Sequence, residues 1–172
     1  GGDFPILSSK FLTWGTHTKN YAKKCGFSKK THVIGSPAHD TLFKNNSDNS
    51  LVNDGFILLA TSSPQQNQIF DLTINNLEIY EKTIKDVCKI AAKLKKQLII
   101  KLHPFQEEQN IKKMVAGLGE QITLTNRGNI EDLIKSCDIF LVNDFSTTML
   151  DAMIIGKPVI AIQTKNRHMK EK

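Results

Sequence analysis

Five short apolar runs, separated by stretches of helical period, leave few folds open to this chain. The runs are FILLA at 56–60, LIIKL at 98–102, QITLT at 121–125, IFLVN at 139–143 and PVIAI at 158–162. A strand with one wet face alternates apolar and polar residues, whereas a strand covered on both faces reads as a near-continuous run, as these do. Residues 78–96 space Ile84, Val87, Ala91 and Leu94 three and four apart with lysines opposite, which predicts a helix packing through that stripe. NIEDLIKSC at 129–137 predicts a helix capped by Asn129, with acids in its first turn and Ile130, Leu133 and Ile134 facing inward. Met149, Leu150, Met153 and Ile154 predict the buried stripe of a last helix, stopped by Gly156 and Pro158. Strand and helix in alternation give an α/β class built on a parallel sheet with helices on both faces.

The first 50 residues repeat the theme more weakly. FLTWG at 11–15 and THVIG at 31–35 are expected as strands, 17–25 as a helix and 37–43 as a short helix, before the Asn- and Ser-rich loop KNNSDNSLVNDG at 44–55. With 172 residues, the expectation is one domain: 1–50 as the end of a linking region with the first βα elements, and 51–172 as the core. The chain opens with Gly-Gly rather than Met, which reads as an expression scar or an excised fragment.

Composition narrows the function. At 40% hydrophobic and 23% charged residues, the chain reads as a soluble globular protein, and no run approaches the roughly 20 apolar residues of a membrane span. Three scattered cysteines, Cys25, Cys88 and Cys137, lack metal-ligand spacing and are expected as buried free thiols in a reducing, cytosolic setting. The net charge of +6 is spread over scattered lysine pairs without aromatic interleaving, so solvated surface is favoured over nucleic-acid binding. Such a face also suits an anionic small substrate, or a membrane surface carrying lipid-linked substrates.

In an open parallel sheet, ligands collect at the carboxyl ends of the strands. There IFLVN runs into Asp144, Ser146, Thr147 and Thr148, where a helix amino end and small hydroxyls would suit a phosphate. Asp151, four residues after Thr147 and three after Thr148, shares their helix face and could accept hydrogen bonds from ribose hydroxyls. Helix capping by Ser146 and a solvated Asp151 would explain the same residues. His103 ends the LIIKL run, stiffened by Pro104, where it could donate to a phosphate or move a proton. The loops with Thr61, Ser62 and Ser63, and with Thr125, Asn126, Arg127 and Gly128, lie on the same edge, although turn chemistry alone accounts for such residues too. The scheme expects an anion at the helix amino end near Ser146, with His103 leaning in from the adjoining strand. No acidic pair offers a metal a site, and both the G-x-G-x-x-G and Walker A phosphate loops are absent.

KLHP at 101–104, the block CDIFLVNDFSTTMLDAMIIGKPVIAI at 137–162 and HVIGSPAHDTLF at 32–43 resemble the C-terminal half of GT-B glycosyltransferase-like enzymes. The nearest look is to the CDP-glycerol glycerophosphotransferase, bacterial polysialyltransferase and capsule-polysaccharide group, with UDP-N-acetylglucosamine 2-epimerases as relatives. The resemblance implies a Rossmann-like core at 51–172, one half of a GT-B fold, whose acceptor-binding N-terminal domain is missing. It implies a donor-phosphate role for His103, the pyrophosphate at Ser146, Thr147 and Thr148, the ribose at Asp151, and the base at Thr125 and Asn126. The expected activity moves a sugar or glycerol-phosphate unit from a CDP-, CMP- or UDP-activated donor onto a surface polysaccharide or teichoic-acid-like acceptor. The donor is substrate, with no cofactor, and the fragment alone is expected to turn over little. Partners would be that donor, the missing domain of the same chain and a lipid-linked acceptor at the inner face of the cell membrane, with no nucleic acid. An epimerase-like enzyme and a non-catalytic interaction module are the alternatives, although the Ser-Gly-Gly and paired glutamates of the epimerase pattern are replaced here by Ser146, Thr147, Thr148 and Asp151.

Overall fold

The computed structural model describes residues 8–45, 55–61, 74–103, 108–143 and 146–162. The chain divides into two compact units, 1–47 and 48–172.

The first unit is a small β-α-β motif. Strands β1 (Phe11–Thr13) and β2 (Thr31–Val33) pair in parallel, with helix α1 (Thr16–Lys24) between them in sequence and α2 (Asp40–Asn45) after them. Side chains finish what the short ladder leaves open. The hydroxyl of Thr31 donates to the carbonyl of Phe27 at 2.9 Å, and both Thr13 and Thr31 are buried. Gly26 turns the chain out of α1 at φ 84°, a left-handed conformation costly to any side chain.

The second unit carries the five expected strands: β3 (Phe56–Ala60), β4 (Gln97–Lys101), β5 (Ile122–Thr125), β6 (Ile139–Asn143) and β7 (Val159–Ile162). They form one parallel sheet in the order β5-β4-β3-β6-β7. Helices α3 (Ile74–Lys93), α4 (Glu108–Val115), α5 (Ile130–Ser136) and α6 (Thr147–Ile155) join them. Strand register sorts the side chains into two faces. Leu59, Leu98, Ile100 and Leu102 lie on one and form a core with Ile84, Cys88 and Ala91 of α3 and Ile111 and Val115 of α4. Leu58, Phe140 and Val142 alternate to the other face, where Ile134 of α5 and Ala152 and Ile155 of α6 are buried. The sheet is therefore Rossmann-like, with helices on both faces. No described helix is long and apolar enough to cross a membrane.

Three expectations about packing are corrected. Leu94, assigned to the inward stripe, is 60% exposed, because α3 stops at Lys93 and the chain turns through Lys95 at φ 53°. In α6 the buried positions are Ala152 and Ile155, whereas Leu150 and Met153 of the expected stripe face out. Cys25 is exposed just past α1, unlike Cys88 and Cys137. Burial pushes the thiols of the latter two up to about 11, the nearby Lys157 pulling Cys137 the other way. The polar loop expected at 44–55 lies mostly outside the described residues.

Candidate functional site

All five strands of the second unit run in one direction, so the loops after β3, β4, β5 and β6 open onto one edge. His103 follows β4 and Ser146 follows β6, so both stand at that edge. They are not on adjoining strands, as the sequence suggested: β4 and β6 each pair with β3, which lies between them. At ordinary strand spacing the two ends are about 10 Å apart. Ser62, Ser63 and Asp144 lie outside the described residues.

Helices α3 to α6 all begin at this edge, and the two whose caps are described, α5 and α6, differ electrostatically. Asn129 caps α5, its side-chain oxygen accepting from the amide of Glu131 at 3.0 Å. Glu131 and Asp132 then place two acids in the first turn, which satisfy the positive end of that helix internally. Ser146 caps α6 by accepting from the amide of Thr148 at 3.2 Å, and its hydroxyl lies 2.8 Å from that of Thr148. No acid occupies the first turn of α6, in contrast to that of α5. Thr147 is exposed at the first position, while Ser146, Thr148 and Asp151 are half-buried. Gly156 closes the helix at φ 84°, with the Lys157 amide returning to the carbonyl of Ala152.

The ends of β3, β4 and β5 are tied together by Thr61 and Thr125, both candidates from the sequence, and by Lys101, to which sequence patterns assign no role. Thr61, buried at the end of β3, accepts from the backbone amide of His103 at 3.2 Å and donates to the carbonyl of Lys101 at 3.3 Å. His103, half-buried, is thereby held against β3. Lys101 and Thr125 are register partners. The Lys101 ammonium crosses to the loop after β5 and donates to the carbonyls of Asn126 at 2.8 Å and Arg127 at 3.1 Å. Burial lowers the pKa of this lysine from its ordinary value. Thr125 closes the loop from its own side, donating to the Arg127 carbonyl at 3.1 Å and accepting from the Arg127 amide at 3.2 Å. Asn126, Arg127 and Gly128 are exposed.

Asn143, the last residue of β6, is wholly buried, and neither end of its side-chain amide finds a hydrogen-bond partner among the described residues. A polar group in that condition costs stability unless something else meets it. Its position in a strand ending in a polar loop was visible in the sequence; its enclosure was not. Among the described residues no group of three or more His, Cys, Asp or Glu gathers as a metal site. A concavity lined by His17, Asn20, Tyr21, Lys23 and Lys24 belongs to α1 of the first unit.

A search of curated proteins finds no match. Among solved structures, the wall teichoic acid polymerase TagF is similar, with a TM-score of 0.50 and 14% identity. The match covers 88% of this chain and 38% of that one, so the chain spans well under half the length of the polymerase. At this identity the likeness is one of fold. A family model described as LIC12162 family transferase matches residues 6–169, and the chain belongs to that family of transferases.

Proposed function

We propose that the second unit is the donor-nucleotide-binding half of a GT-B transferase. It would move a sugar or glycerol-phosphate unit from a CDP-, CMP- or UDP-activated donor onto a cell-surface polysaccharide or teichoic-acid-like acceptor. The observation that carries this reading is the common sheet edge, which the acid-free amino end of α6, with Ser146, Thr147 and Thr148, shares with the end of β4 bearing His103, one strand removed across β3. Membership of a transferase family and a fold like that of a wall teichoic acid polymerase support it.

In this reading the donor pyrophosphate lies over the first turn of α6, and the helix dipole and His103 stabilise the charge that develops on the leaving phosphate. Asp151 accepts from the ribose hydroxyls, and the loop at Thr125 and Asn126 faces the base. The acceptor, lipid-linked and at the inner face of the membrane, is met by a further domain of the same polypeptide; the net charge of +6 suits an anionic surface.

Calorimetric titration with CDP, CMP, UDP and ADP tests the proposal. One of the four is expected to bind selectively, and His103→Ala and Thr147→Ala are each expected to weaken it about tenfold, the size of one charge-assisted hydrogen bond. Indifference to all four nucleotides overturns it.

A further inference from the structure

We propose that Lys101 is a positioning residue for ligand recognition: its ammonium holds the loop after β5 in the conformation that presents Asn126 and Arg127 to the nucleoside end of the donor. The inference rests on the donor-binding reading above and adds to it a residue of the KLHP stretch that sequence patterns leave without a role.

The argument starts from an oddity of placement. Lys101 ends a strand whose neighbours Leu98, Ile100 and Leu102 are buried in the core. Strand alternation sends it to the opposite face together with its register partner Thr125. A lysine at a strand end ordinarily extends into water, where its ammonium is well solvated. This one turns along the edge and spends two of its three donors on backbone carbonyls, those of Asn126 and Arg127. A bond from a charged donor is stronger than a neutral one, and two of them to consecutive peptide units fix the orientation of both.

Thr125 completes the device. Its hydroxyl accepts from the Arg127 amide and donates to the same Arg127 carbonyl that Lys101 holds. With those carbonyls and that amide turned inward, the exposed side chains of Asn126 and Arg127 are the groups the loop turns outward. An amide can read the edge of a base, and a guanidinium can meet a phosphate or stack on a ring. The loop is also coupled to His103. The carbonyl of Lys101 accepts from the amide and hydroxyl of Thr61, and that hydroxyl in turn accepts from the His103 amide. One lysine thus sets the position of the recognition loop relative to the residue placed at the donor phosphate. A preformed loop spares the ordering cost that a loose one incurs on binding.

The test compares Lys101→Met, which keeps the stem and loses the charge, with Lys101→Arg, which keeps both. Each is titrated with whichever of CDP, CMP, UDP and ADP binds the unaltered protein best, alongside its melting temperature and the hydrogen exchange of the Arg127 amide. Lys101→Met is expected to weaken binding about tenfold, to speed exchange at Arg127 and to leave the melting temperature nearly unchanged. Lys101→Arg is expected to recover most of the affinity. If Lys101→Met binds as tightly as the unaltered protein, the positioning role is overturned while the donor reading stands. If both variants lose affinity only in proportion to a lowered melting temperature, Lys101 is scaffold and the inference falls. If the unaltered protein binds none of the four nucleotides, the donor reading fails and takes this one with it.

Discussion

The two units of this chain solve the same structural problem with unequal means. The second buries Leu58, Leu59, Ile84, Leu98, Ile100, Phe140 and Val142 almost completely, on both faces of a five-stranded sheet. The first has the same β-α-β logic but, among its described residues, encloses little more than Ala22 and Leu42 with the polar Thr13, Thr31 and His39. It leaves Leu12, Trp14, Tyr21, Ile34 and Phe43 more than half exposed. Parallel sheets are ordinarily covered on both faces, and a two-stranded sheet is marginal by itself. The difference shows that topology alone does not stabilise a unit; the number of strands and helices sharing a face does.

The largest effect should come from cutting the chain between the units. Residues 48–172, expressed alone, are expected to melt cooperatively and to keep slow amide exchange at Leu58, Ile100 and Phe140. Residues 1–47 alone are expected to show no cooperative melt, because a chain that short rarely buries enough surface to offset its lost entropy. Circular dichroism and hydrogen exchange on the two pieces decide it, and a first unit that folds by itself would break the comparison.

How much of this was legible beforehand also differs by region. The second-unit strands stood out because a strand buried on both faces concentrates apolar residues beyond what any loop tolerates. The caps at Asn129 and Ser146 were legible because a short polar side chain before an apolar helix has a local job. Helix α6 defeated the same reasoning: Met149, Leu150, Ala152, Met153, Ile154 and Ile155 make it apolar nearly all round, so period could not choose a face. Packing placed the small Ala152 inward instead. At the site, His103 and Ser146 could be assigned to strand ends, yet strand order depends on contacts far apart in sequence, and β3 between them was not foreseeable. Lys101 lies within both LIIKL and KLHP yet had no legible role, because one lysine inside an apolar run reads as an interruption.

The thiols sharpen the same contrast. Cys25 in the first unit is exposed, whereas Cys88 and Cys137 in the second are enclosed, with burial raising them from 9.0 to about 11. A disulfide-exchange reagent at pH 8 is expected to titrate Cys25 quickly and the other two only on unfolding. A pH consequence follows with a definite sign. A group whose folded pKa is raised holds its proton more tightly when folded, so its stabilising effect is complete below the unfolded value and is lost as pH rises through the folded one. Urea midpoints of the second unit should therefore hold steady up to about pH 9 and fall between pH 9 and 11. Three thiols reacting at one rate would show that the second core is looser than its burial implies.

The smallest effect concerns Asn143, wholly buried at the end of β6 in the well-built unit. Its side-chain amide has no hydrogen-bond partner among the described residues. An unsatisfied buried amide costs on the order of 1–3 kcal/mol, whereas an apolar group of similar shape costs nothing of the kind. Asn143→Val is therefore expected to raise the stability of the unliganded protein by about 1 kcal/mol, part of the gain being offset by the branched side chain's extra volume. Urea unfolding with and without bound nucleotide measures it. Should the substitution instead destabilise the unliganded protein by a similar amount, an enclosed water already meets the amide, and the second unit is as fully satisfied at its functional edge as it is in its core.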